Sequence, residues 1–204
     1  MNGEQREPLI FAGAVLAGGS SRRMGVDKAL LAPATGAAEP LVSLAANTLW
    51  NGGASDVFVV GGDPTALTAL GLRVVDDTWK GAGPLGGIIT AMAAVDDASV
   101  THIVVLPCDL LAPAAESVRI LVREAAGARG AVAVPLVHGQ LQWLHACWPL
   151  TLQADLQTAF EDGTRAPRRL PATVKIYVVE GLDPVSTRDV DRPEDLPWSL
   201  PDGG

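Results

Sequence analysis

Three short runs in this chain, Ala14-Val-Leu16, Val57-Phe-Val-Val60 and Ile103-Val-Val-Leu106, are apolar at successive positions, with no alternation. A strand with one wet face alternates apolar and polar residues. A strand apolar throughout needs cover on both faces, as parallel strands between two helical layers have. Strands are predicted at 10–16, 56–60, 72–75, 102–106, 130–136, 141–148 and 174–179. Helices are predicted at 40–51, 64–70, 84–95, 113–126 and 149–160, with a short one near 193–197. This alternation predicts an α/β fold, a single Rossmann-like doubly wound domain over 1–198 with a mostly parallel sheet. In GRGAVAVPLVHGQLQWLHACWP two strands lie close together around His138-Gly139, which predicts a local antiparallel insertion. The last residues, 199–204, read as a frayed tail.

The formal net charge is −8, and the lysines number only three, Lys28, Lys80 and Lys175. Such an acidic surface disfavours nucleic acid and anionic lipid as partners, since both need a basic footprint. A polyanionic small molecule must then meet a local cluster of cations, and Arg22, Arg23 and Lys28 crowd into one stretch. Two cysteines, Cys108 and Cys147, outside any CxxC pair, suit a reducing cytoplasm better than a disulfide scaffold or zinc knuckle. The start of the chain lacks the basic and long apolar regions of a signal peptide, and no run is long enough to span a membrane. The expected location is cytoplasmic.

The most specific stretch is Leu16-Ala-Gly-Gly-Ser-Ser-Arg-Arg-Met-Gly-Val-Asp-Lys28. It follows an apolar strand, and in open α/β sheets ligands collect beyond the carboxyl ends of strands. Gly18 and Gly19 allow backbone N–H groups to approach phosphate or base, while Arg23 and Lys28 supply charge-assisted bonds to triphosphate oxygens. The spacing fits neither GxGxxG nor GxxxxGK[ST]. A surface turn with solvated arginines would explain the glycines alone, but not Arg23, Gly25, Asp27 and Lys28 in this order.

LAGGSSRRMGVDKALL resembles the signature of the molybdenum cofactor guanylyltransferases, LAGG-x-S-x-RMG-x-DK-x-LL, within the NTP-transferase superfamily, and matches every fixed position. The related cytidylyltransferases have LAAG and lack the aspartate, so Gly18 and Asp27 point to the guanylyl branch. The resemblance runs from about residue 11 to residue 196. It implies that Leu16, Ala17, Gly18, Gly19, Arg23 and Lys28 surround the nucleotide.

Further motifs carry it along the chain. Asp109 ends Ile103-Val-Val-Leu-Pro-Cys-Asp109, where a carboxylate suits Mg2+ or caps the next helix. The resemblance, through PCD, points to the magnesium ligand. Cys108 beside it reads as a small core residue. Asp76-Asp77 follows another strand, and the resemblance assigns Asp77 to the nucleotide, against a solvated turn. Gly83-Pro84-Leu85-Gly86-Gly87 resembles GPLAG, which lies against the guanine base, with Gly86 in place of alanine. No asparagine stands near Val60, where some guanylyl enzymes carry one.

On the acceptor side, GQLQWLHACW aligns His145 with a Leu-His-Ala core, and EDGTRAPRRL aligns Arg165 near the pterin. A core histidine and a solvated arginine are the plain alternatives. Asp189-Val-Asp-Arg-Pro-Glu-Asp-Leu196 resembles N-V-N-T-P-E-[DE]-L and offers Asp191 as a second metal ligand or as a helix cap.

Together these imply a Mg2+-dependent enzyme that transfers GMP from GTP to molybdopterin, with Arg23, Lys28 and Asp109 catalytic. Molybdenum-insertion proteins or molybdoenzymes would be its partners. The alternatives are a transferase of the same fold using CTP or another NTP with a different phosphorylated acceptor, and a nucleotide-binding module without turnover.

Overall fold

The structure is a computed structural model that describes residues 9–18, 28–32, 39–128, 130–190 and 195–196. Its strands are β1 (Phe11–Leu16), β2 (Val57–Val60), β3 (Val74–Val75), β4 (His102–Pro107), β5 (Val132–Val137), β6 (Gln140–Leu141), β7 (Cys147–Pro149) and β8 (Ile176–Val179). The helices are α1 (Leu41–Asn51), α2 (Pro64–Ala69), α3 (Pro84–Ala93), α4 (Ala115–Ala125) and α5 (Gln153–Glu161).

The strands lie in the order β3-β2-β1-β4-β7-β5-β6, with β8 added to β5. β1 runs parallel to β2 and β4, β2 runs parallel to β3, and β8 runs parallel to β5. β7 is antiparallel to both β4 and β5. The expected doubly wound sheet with an antiparallel insertion is thus present. The chain steps outward from β1 to β3, then returns to the other side of β1 with β4. That reversal makes the crevice between the ends of β1 and β4 the topological switch point.

Successive residues of one strand serve opposite cores, which accounts for the unbroken apolar runs. Phe11, Val15, Val57, Val59, Val104 and Leu106 pack with Val42, Ala45 and Leu49 of α1 and with Val118 and Leu121 of α4. Ala12, Ala14, Phe58, Ile103 and Val105 pack with Ile88 and Met92 of α3 and Leu156 and Phe160 of α5. The first layer closes tightly over β1, because a Cβ on Gly13 would stand 2.8 Å from Leu49 Cβ.

Several expected elements differ in their bounds. The strand expected at 141–148 is broken into β6, a 3-10 turn at Trp143–His145, and β7. His138 and Gly139 turn the hairpin with φ of 49° and 75°, and Leu136 and Val137 then pair with Leu141 and Gln140. At the next pair Gln142 N–H reaches Pro135 O at 2.8 Å, but Pro135 has no N–H to return, so the ladder stops. The helix expected from 113 starts at Ala115, since Ala114 is extended. The helix expected from 149 starts at Gln153, because Pro149 pairs with His102 in the sheet. The short helix near 193–197 and the tail at 199–204 extend outside the described residues.

Gly13→Ala pushes a methyl group into α1 and is expected to cost about 1–3 kcal/mol of stability, as overpacking does. A urea unfolding curve measures it through the midpoint.

Candidate active site

Parallel strands end on the same edge of the sheet, so the segments after β1, β2 and β4 converge there. They enclose a cleft of about 190 Å3. Its walls carry Leu16, Ala17 and Gly18 from the end of β1, Val60 from β2, Pro107, Cys108 and Asp109 from β4, with Lys28, Asp77, Gly83 and Pro84. Gly87 and Leu144 complete the lining.

Lys28 opens a 3-10 turn anchored by the buried Ala29. Its Nζ donates to Asp109 Oδ2 at 3.2 Å and to Val190 O. Both side chains are mostly covered, at 18% and 15% exposure, so this pair is less screened than a surface one. The Val190 N–H in turn donates to Asp109 O at 3.0 Å, and Leu110 bridges to Asp189. The end of β4, the turn at Lys28 and the segment 188–190 are thereby tied at one point.

Asp109 does not cap the next helix: the residue at that position is Ala114, which gives α4 no side-chain cap. No described hydrogen bond reaches Asp109 Oδ1. Among the described residues no group of three or more His, Cys, Asp or Glu is placed to hold a metal. A single carboxylate facing a cleft nonetheless fits a cation such as Mg2+, which takes one or two protein carboxylates and fills its shell with phosphate oxygens and water.

Asp77 is only 9% exposed. Its Oδ1 accepts from Trp79 N at 2.9 Å and Thr90 Oγ1 at 3.3 Å. Its Oδ2 lies 3.3 Å from where a Cβ on Gly18 would stand, so the carboxylate presses on the glycine loop. Gly83 precedes α3 with φ 99°, and a Cβ there would meet Arg165 O at 2.9 Å. Only glycine suits both demands.

Leu16, Ala17, Gly18, Lys28, Asp77, Gly83, Pro84 and Asp109 are therefore brought together. Gly19, Arg23 and Asp191 lie outside the described residues. Leu85 departs from its expected place. Its side chain is 0% exposed in the core, and its N–H is taken by Arg165 O at 3.1 Å. His145 and Arg165, expected on the acceptor side, do not line the cleft. The broken ladder turns His145 inward against α4, where it is 6% exposed and lines a small cavity with Thr48, Ser117, Ser186 and Thr187. Among the described residues its Nε2 has no hydrogen-bond partner. The Arg165 guanidinium lies over the Phe160 ring, 4.1 Å from its centroid, and donates to Phe160 O. Cys108, expected in the core, packs against it but also lines the cleft. Gly87, Pro107 and Leu144 were missed. All three stand inside motifs already singled out, Gly87 in the segment 83–87, Pro107 in PCD and Leu144 in the Leu-His-Ala core.

A family model described as the MobA-like NTP transferase domain matches residues 13–175. The chain belongs to this family. As a MobA-like NTP transferase it is a nucleotidyltransferase, and the match spans every described residue of the cleft. A "Probable molybdenum cofactor guanylyltransferase" from Opitutus terrae is 33% identical over 80% of this chain and 79% of that protein. The crystal structure of molybdopterin-guanine dinucleotide biosynthesis protein A from Archaeoglobus fulgidus shares the fold, with TM-score 0.72 and 19% identity over 90% of this chain and 94% of that one. A manganese complex of Rv0371C from Mycobacterium tuberculosis does so too, with TM-score 0.64 and 20% identity over 91% and 95%. No described helix of this transferase is long and apolar enough to cross a membrane.

Burial pushes the His145 imidazole down from 6.5 to about 4. Between those values the unfolded chain binds a proton that the folded one refuses, so stability falls as pH drops through this window. Above about pH 6.5 this loss is absent; towards pH 4 it reaches roughly 3 kcal/mol. Urea midpoints at pH 7 and pH 4.5 measure the slope, which His145→Gln should flatten.

Proposed function

We propose that this MobA-like transferase moves GMP from GTP to the terminal phosphate of molybdopterin, with Mg2+ as the cation. A phosphate oxygen of the acceptor attacks the α-phosphorus of GTP. The new P–O bond forms as the bond to the β-phosphate breaks, pyrophosphate leaves, and a guanine dinucleotide results. The observation that carries this reading is the Lys28–Asp109 pair inside the glycine-walled cleft, with Nζ and Oδ2 3.2 Å apart. A cation and a metal-type carboxylate beside each other are what one triphosphate requires.

The acceptor phosphate is ionised at neutral pH, so the site needs no strong base. Catalysis is then positioning and charge neutralisation. Lys28 and Arg23 hold the phosphate oxygens, and Gly18 and Gly19 bring main-chain N–H groups close to them. Asp77, held by Trp79 N and Thr90, orients the nucleoside end, and Gly83 and Pro84 border the base. Asp109 would hold the cation, with Asp191 as a second ligand, and the bound ion would neutralise charge at the α-phosphoryl group. The manganese found with a protein of this fold supports a divalent cation here. Support for the guanylyl assignment comes from Gly18, from Asp27, and from the activity named for the Opitutus terrae relative. A chain with two cysteines and no disulfide motif suits the reducing cytoplasm, where GTP is at hand.

Asp109→Asn and Lys28→Ala should each lower turnover by about 10²–10³, the usual loss for one such electrostatic contact. Pyrophosphate release, with molybdopterin supplied on a carrier protein, measures it; near-normal turnover in a folded variant removes that residue from the mechanism. In a thermal-shift comparison with Mg2+, GTP should raise Tm more than CTP, ATP or UTP, because only a ligand of the folded state stabilises it. A larger shift with CTP transfers the assignment to cytidylyl transfer. GTP binding without pyrophosphate release marks a regulatory module.

A further inference from the structure

A line of contacts outside the cleft joins the loop after α5 to both nucleotide-side loops. The Arg165 guanidinium stacks on Phe160, and the Phe160 ring meets Trp79 with centroids 4.9 Å apart at 50°. The Trp79 backbone N–H donates to Asp77 Oδ1 at 2.9 Å. On the other side, Arg165 O accepts the Leu85 N–H at 3.1 Å, and the left-handed Gly83 sits beneath it. Trp79 also presses on α3, where a Cβ on Gly86 would stand 2.7 Å from Trp79 Cβ. The alanine usual in the resembled motif would collide there, so the glycine and the tryptophan form a matched pair.

Resting on the nucleotide reading above, we infer that Arg165 is a positioning residue for the nucleotide: with Phe160 and Trp79 it clamps Asp77 and the start of α3 at the spacing that nucleoside binding needs. The side chain does its work from outside the cleft. Its guanidinium donates to the carbonyls of Phe160 and Thr164, and its planar face is spent on the ring. A planar, delocalised cation is what that stack requires, and lysine does not replace it.

This role differs from that of an acceptor-phosphate ligand in which substrate feels the loss. Arg165→Ala and Arg165→Lys should both raise Kd and KM for GTP about fivefold, the order of a cation–π contact. The KM for carrier-bound molybdopterin and kcat at saturating GTP should stay within about twofold. Trp79→Leu, which removes the ring behind Phe160, should shift GTP affinity in the same direction. Arg165 is exposed, so its variants keep the core, and circular dichroism checks this.

Calorimetry of GTP with Mg2+, alongside steady-state kinetics in both substrates, decides the matter. Unchanged GTP affinity in Arg165→Ala overturns the clamp. A raised molybdopterin KM that Arg165→Lys restores overturns it too, in favour of a phosphate ligand. A lower Tm with GTP KM unaltered reduces the residue to a structural one and also overturns it. If the wild-type protein binds CTP in place of GTP, the guanine assignment fails by itself, and the clamp is read on CTP in the same variants.

Discussion

The amine of Lys28 stands where three distant pieces of chain meet: its own turn, the loop after β4 that carries Asp109, and the segment ending at Val190. Residues 81 and 162 positions away are held by this one group. In a protein of net charge −8, a triphosphate is repelled everywhere except where a cation is presented locally. The pair with Asp109 keeps that cation at the cleft and holds a carboxylate where a metal–nucleotide complex would need it. Partial burial keeps the attraction from being screened away. Strand pairing already brings the ends of β1 and β4 together, and this tie sets the turn at Lys28 against them.

That meeting point follows from strand order. The chain reverses direction across the sheet between β3 and β4, which leaves a crevice between the ends of β1 and β4 that no crossover covers. Gly18 follows one strand and Asp109 the other. Gly13 lets α1 lie close on β1, so the strand that ends in the glycine loop has a firm base. On the opposite face Phe160 of α5 is stacked between Arg165 from the loop after α5 and Trp79 from the segment before α3, and this stack adjoins Asp77 and Gly83 from outside the cleft. The packed layers thus aim the segments that follow the strands.

Much of this was legible from local pattern. The runs around Val15, Val59 and Val105 show no polar face, and burial on both sides of a sheet is the plain physical reason. Pro64 and Pro84 start helices because a missing N–H costs nothing in the first turn. Asp77, Asp109 and Gly18 each follow a strand, where ligand-holding residues gather. The misread parts depended on partners far along the chain. The strand expected through residues 141–148 stops because Pro135 cannot donate to it, and His145 consequently turns into the α4 side of the core. Leu85 and Arg165 meet through a backbone hydrogen bond that residue types do not announce.

The order of residues alone determined the layered α/β plan, the glycine-rich loop, and the acidic groups at strand ends, because these follow from short-range periodicity and chemistry. Only the tertiary structure decided which of them share a cleft. It set Lys28 against Asp109, placed Asp77 on Gly18, and kept His145 and Arg165 away from the cleft wall. Contacts across so many residues are fixed by strand order and side-chain packing, and neither is written in any local stretch of chain.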